Sequence, residues 1–169
     1  MKKQLLTILS ISLTTCQLLA QKTLIHCGTL IDGIKNEVQT EMTIVVEKNR
    51  IVSVQKGYAT PTPTDKVIDL KAKTVMPGFT DMHVHIESET SKDQFQKRIS
   101  NGPADVAYEA QKNAKTTLMA GFTCVRDLGG SGVNIALRNA INKGLVIGPR
   151  IFTAGQTIAT TGGHGDPIH

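Results

Sequence analysis

His83-Val84-His85 is the sharpest chemical feature of the chain. Side chains two residues apart on a strand point to the same face. Two imidazoles so placed can both reach one metal ion at about 2.0–2.1 Å. Asp81 lies on that face too, two residues earlier. It could orient a histidine, because a ligating imidazole usually donates its other N–H to an oxygen. With five histidines in 169 residues the tripeptide alone is a weak sign. Its position, at the end of the first strand after a β-rich region, strengthens it. A catalytic zinc usually takes three protein ligands and keeps a place for water, so the pair by itself is short of a working site.

Other candidates carry less. His164 sits among Gly162, Gly163 and Gly165, where bare backbone could approach a substrate closely; a flexible glycine loop is the bland alternative. Gly129-Gly130-Ser131-Gly132 precedes a predicted helix and could receive an anion at its N-terminus. Without a phosphate fingerprint it reads more simply as a tight turn. Arg126-Asp127 could form a local ion pair at a strand end. His26 reads as structural. Lys115 and Lys143 fall on predicted helices and are not nominated as ligands, and His169 matches no motif. No Ser-His-Asp or Cys-His arrangement can be assigned. One rival has substance: His83, His85 and Glu89 fit the His-x-His-x₃-Glu spacing of a cupin-like, all-β metal site.

The elements that would position these residues change character near Pro77. Before it the chain reads as β. Thr23–Cys27 is a short strand ending at Gly28, and Asp32-Gly33 is a turn signal. Met42–Glu47 and Arg50–Val54 are joined by Lys48-Asn49 at hairpin length, and Asn tolerates the left-handed conformation. Prolines 61 and 63 mark a loop, and Val67–Leu70 and Thr74–Met76 are two further short strands. After Pro77, Phe79–Ile86 is a strand candidate. From Ala104 to Ala120, apolar or small residues recur at 106, 107, 110, 114, 117, 118 and 121, which predicts a helix. Pro103 suits its first turn and Gly121 its C′ position. Phe122–Val125 reads as a strand. Val133–Asn142 reads as a helix, with Ser131 as N-cap and Gly144 as its stop. Pro149–Ala154 begins a third strand. The order β–α–β–α–β defines an α/β fold with a parallel sheet.

Composition narrows the class. The chain is 40% hydrophobic and 20% charged, an ordinary globular balance. Its formal charge of +5 is scattered, and aromatics are only 4%, so no nucleic-acid-binding stripe is expected. Met1-Lys2-Lys3 followed by the uncharged run Leu5–Ala20 reads as a signal peptide, with Ala20-Gln21 as the cleavage point. The run is short for a membrane span, which needs about 20 residues, so none is expected after cleavage. Leu13–Cys16 resembles a lipobox, so lipoprotein anchoring through Cys16 is the second reading. Either places the protein in the periplasm or outside the cell; a buried apolar helix is the third reading of the run. Cys27 and Cys124 fall in different units and read as small buried residues, not a disulfide.

The longer string Val75–His85 resembles the metal-binding signature of the amidohydrolase superfamily. Gly28–Gly33, Arg50–Val54 and Val67–Leu70 are similar to the small β-sandwich that precedes the barrel there. Ala120–Gly130 and Thr161–Asp166 resemble segments of its imidazolonepropionase-like and Xaa-Pro dipeptidase-like branch. After the signal peptide (1–20), the resemblance, which covers residues 22–169, implies a β-sandwich (21–76) and the first units (77–169) of a metal-dependent (β/α)₈ TIM barrel. Such a barrel needs about 250 residues. About three of its eight units fit here, so the resemblance implies an incomplete barrel and a fragment that is inactive alone.

The resemblance also implies roles. His83 and His85 match the first two metal ligands, and His164 and Gly163 would line the substrate. A Lys or Glu, two further His and an Asp acting as general base are expected beyond residue 169. The cofactor implied is a divalent metal, zinc before others, as one or two ions. The substrate implied is a small molecule or peptide with a C–N bond: a cyclic amide, a dipeptide such as Xaa-Pro, or an N-acyl amino acid. A non-catalytic metal-binding module is the alternative to an enzyme. No residue pattern speaks to oligomeric state.

Overall fold

The computed structural model describes residues 21–163 and residue 165. The expected leader with Cys16, the candidate His164, and His169 lie outside the described residues. The chain divides into two compact units, Met1–Pro77 and Gly78–His169.

The first unit is a four-stranded mixed sheet. β1 (Lys22–Leu30), β2 (Gln39–Glu47), β3 (Arg50–Lys56) and β4 (Lys66–Val75) lie in the order β3-β2-β1-β4. β1 runs antiparallel to β2 and parallel to β4. It does not stop at Gly28, because both neighbours continue to bond it as far as Leu30, which pairs Gln39 on one side and Val75 on the other. The two short strands expected between Val67 and Met76 are one. Its register against β1 jumps from Cys27↔Leu70 to Thr29↔Thr74, so β4 carries extra residues there. The β2–β3 hairpin forms at Lys48-Asn49, but the positive φ of 54° falls on Lys48 rather than Asn49. A two-residue hairpin can place its left-handed residue first.

Cys27, Leu30, Met42 and Ile44 form this unit's core, with Ile25, Val46 and Val75 packed against it. Among the described residues the unit holds this one sheet. Cys27 is buried, as expected, whereas Cys124 of the other unit is only half-buried; both are free thiols.

The second unit is α/β. β5 (Phe79–Val84), α1 (Gln94–Ser100), α2 (Pro103–Met119), β6 (Phe122–Asp127), α3 (Val133–Asn142) and β7 (Arg150–Thr153) follow in order. β5, β6 and β7 form a parallel sheet in that order. The periodic stretches become the helices they predict. Pro103 opens α2, the Asp105 carboxylate accepts the Gly102 N–H at 2.9 Å, and Gly121 follows the helix with φ of 98°. Helix α1 has no counterpart in the sequence reading. It buries no residue, so no apolar period marks it; Asp93 at its N-cap and Lys97 and Arg98 in its last turn were local signs that the sequence reading passed over.

Ala110 and Ala114 of α2 and Leu137 of α3 pack with Val125, Ile151 and Ile86 to form the core. Small residues on α2 let its backbone approach the sheet closely. Three helices and a parallel sheet exclude the all-β cupin alternative. Among the described residues no helix is long and apolar enough to cross a membrane.

Candidate metal centre

The site lies at the carboxyl end of β5. His83 is on the strand and His85 is the residue just past its end, and both are exposed. The strand's alternation brings their rings together, with centroids 5.5 Å apart in an edge-to-face arrangement. Two imidazoles that share an ion at about 2.0–2.1 Å per nitrogen hold their ring centres at about this separation. The Nδ1 of His85 lies 2.7 Å from the Gly129 carbonyl oxygen. A carbonyl only accepts, so Nδ1 is the donor, which in the neutral ring leaves Nε2 its lone pair for a ligand.

Asp81 meets the other histidine differently from the role sketched for it. Its Oδ1 accepts the backbone N–H of His83 at 2.9 Å. The carboxylate therefore braces the main chain, and the backbone carbonyl of Gly129 takes the ring proton of His85. Glu89, the third member of the cupin spacing, is turned away to Lys112 at 3.4 Å. Gly163 closes a turn, its N–H donating to the Thr160 carbonyl at 2.9 Å.

Arg126 and Asp127 do not pair. Neighbours on a strand point to opposite faces. Arg126 sends its Nε to the Met82 carbonyl at 2.7 Å, while Asp127 is fully buried. The Asp127 carboxylate accepts three donors: the Ile86 N–H at 2.8 Å, the Gly129 N–H at 3.0 Å and the Asn134 side-chain amide at 2.9 Å. That amide also donates to the Gly155 carbonyl at 3.0 Å, leaving the buried Asn134 Oδ1 as an unpaired acceptor.

The glycine loop before α3 does receive an anion, and the anion is the chain's own. Glu87 Oε2 accepts the Ser131 N–H, and Oε1 accepts the Asn134 N–H, each at 2.6 Å. The N-cap of α3 is Gly132 rather than the expected Ser131, whose Oγ accepts the Val133 N–H at 3.4 Å while Glu87 serves the next amide. Residue 130 must be glycine for this contact, since a Cβ there would meet the Glu87 carboxyl carbon at 2.5 Å. Sequence reasoning missed Glu87 and Asn134 altogether. No local pattern signals a bond between residues 44 or 47 positions apart.

The residues fit a divalent cation in part. Two imidazoles of suitable spacing are present, one with its tautomer set by a carbonyl. Among the described residues no group of three or more His, Cys, Asp or Glu side chains converges as a metal site.

The fold and site define an α/β protein that presents paired imidazoles at the carboxyl end of a parallel strand. Residues 74–168, more than half of the chain, match the Amidohydrolase family. The chain belongs to that family. It is similar to the crystal structure of a Xaa-Pro dipeptidase with bound methionine in the active site, at 48% identity and a TM-score of 0.80, over 87% of this chain and 36% of that one. A prolidase complexed with N-methylphosphonate-L-proline is similar at 34% identity and a TM-score of 0.75, over 86% of this chain and 35% of that one. Ochratoxinase of Aspergillus niger is 26% identical over 153 residues, 87% of this chain and 31% of the relative. The chain thus spans about a third of the length of these relatives.

Proposed function

We propose that this chain supplies the first metal-binding segment of a hydrolase that cleaves a C–N bond, and that the substrate is a dipeptide of the Xaa-Pro class. The observation that carries the metal reading is the His83–His85 pair, with His85 turned by the Gly129 carbonyl. The dipeptide reading draws its support from the Xaa-Pro dipeptidase and the prolidase. Cyclic amides and N-acyl amino acids are the other C–N substrates the family resemblance allows.

His83 and His85 would hold the cation, zinc before other divalent ions. When bound, the cation would activate a water and polarise the amide carbonyl. The chain's own residues do the rest of the work at this corner. Gly129 keeps His85 in the Nδ1–H form, and Asp81 holds the His83 main chain in place. His164 and Gly163 are proposed to line the substrate.

The remaining ligands and the general base belong, in this reading, to the two-thirds of such a protein that the chain does not span. So do the strands that close a (β/α)₈ barrel and complete a β-sandwich. The 169 residues alone are then expected to be inactive. The uncharged run after Lys3 supports export to the periplasm or beyond.

The test uses the full-length protein. Wild type is expected to bind zinc and to hydrolyse Xaa-Pro dipeptides, and a chelator should abolish the activity. His85→Ala should cost at least about 100-fold in both metal affinity and activity, since ligand loss exceeds the 10–100-fold typical of a ligand's neighbours. Full activity in the chelated enzyme or in the variant would overturn the proposal.

A further inference from the structure

Glu87 is two residues beyond His85 and takes no part in the ligand set described above. Its two carboxylate oxygens each hold one backbone donor, Ser131 N–H and Asn134 N–H, both at 2.6 Å. The turn it holds begins at Gly129, whose carbonyl receives the Nδ1 proton of His85. The other side of the same residue is fixed too, with the Gly129 N–H on Asp127 Oδ1 at 3.0 Å. The Gly130 N–H continues the line to the Gly155 carbonyl at 2.9 Å. Residues 85 to 87 and 127 to 134 are therefore tied at both ends of one turn, with the His85 ring bond between the ties.

We infer that Glu87 is a positioning residue for the metal pair: by clamping the turn from Gly129 to Asn134, it sets the tautomer and ring orientation of His85. This rests on the metal reading proposed above. Both oxygens are needed, one per donor. A glutamine offers one oxygen and one NH₂, so one backbone N–H would face another donor. The helix end favours the negative charge as well. A cap that served only α3 would change stability and leave the His85 ring as it is. A positioning residue changes the ring.

The full-length protein carries the test, with two readouts: zinc affinity by chelator competition, and the ring ¹⁵N shifts of His85 in the metal-free protein. Wild type should show His85 protonated at Nδ1. Glu87→Gln should lose about tenfold or more in zinc affinity, and His85 should become a mixture of tautomers. Gly130→Ala should do the same with the carboxylate retained, because its new Cβ displaces the Glu87 head. Glu89→Gln, which loses only the exposed contact to Lys112, should match wild type in both.

Unchanged zinc affinity with His85 still protonated at Nδ1, in folded Glu87→Gln and in Gly130→Ala, would overturn the inference. A loss of stability alone, with the tautomer kept, would reduce Glu87 to a helix cap and overturn it equally. A wild-type protein that takes up no zinc would overturn the metal reading, and this inference with it.

Discussion

Asp127 shows how one residue's neighbours outweigh its sequence context. Beside Arg126 it looks like half of an ion pair, yet strand alternation sends it inward. There, fully buried, it meets three N–H donors. Replacing it by alanine strips the acceptor from the Ile86 and Gly129 amides and the Asn134 side chain. Each orphaned donor costs about 1–3 kcal/mol. Asp127→Ala should therefore lower the unfolding free energy of the full-length protein by about 3 kcal/mol or more. Urea denaturation measures this directly, and a loss below about 1 kcal/mol would contradict the three-bond account.

The elements differ in how local their determinants are. Helix α2 is closed by neighbours in sequence: Asp105 at its start and Gly121 past its end. Helix α3 is capped by Glu87, from another segment altogether. The turn after β1 is again local. The Lys35 and Ile34 backbone N–H groups, with the Gln39 amide, hold the Asp32 carboxyl below its ordinary value. A carboxyl whose folded value is depressed stabilises the fold above its unfolded value, about pH 3.9, and loses that contribution as pH falls through the depressed one. The group is half-exposed, so solvent keeps the effect small. The difference in urea midpoint between wild type and Asp32→Asn should be constant near neutrality and shrink below about pH 4. A gap that does not change with pH would show that the charge of Asp32 plays no part in the turn.

At the scale of the molecule, each unit leaves apolar surface uncovered. Every residue of the edge strand β3 is exposed, including Ile51 at 66%. In the parallel sheet, Phe79 at 53% and Phe152 at 58% are exposed, while Val125 and Ile151 are buried in the core under the helices. Parallel sheets are ordinarily covered on both faces, and an exposed apolar edge strand invites pairing with another chain. A polypeptide of these 169 residues on its own should therefore self-associate. Sedimentation velocity over a concentration series checks it. A monomer that melts cooperatively would mean that these surfaces need no further cover.

The amino-acid sequence determined what short-range physics controls. The apolar period marked α2 and α3, the alternation of a strand put His83 and His85 on one face, and Pro77 marked where the chain changes character. These signals work because a helix repeats within four residues and a strand within two. The tertiary structure decided the rest. The carbonyl that sets the His85 tautomer is 44 residues away from it, and Glu87 reaches its two amides across 44 and 47 residues. Asp127 finds Ile86 across 41. Such bonds exist only after β5 and β6 have paired and α3 has docked, so no window of sequence contains them. The helix that was missed, α1, buries no residue, so no apolar stripe announces it, and the Asp93 at its N-cap is a weak sign by itself.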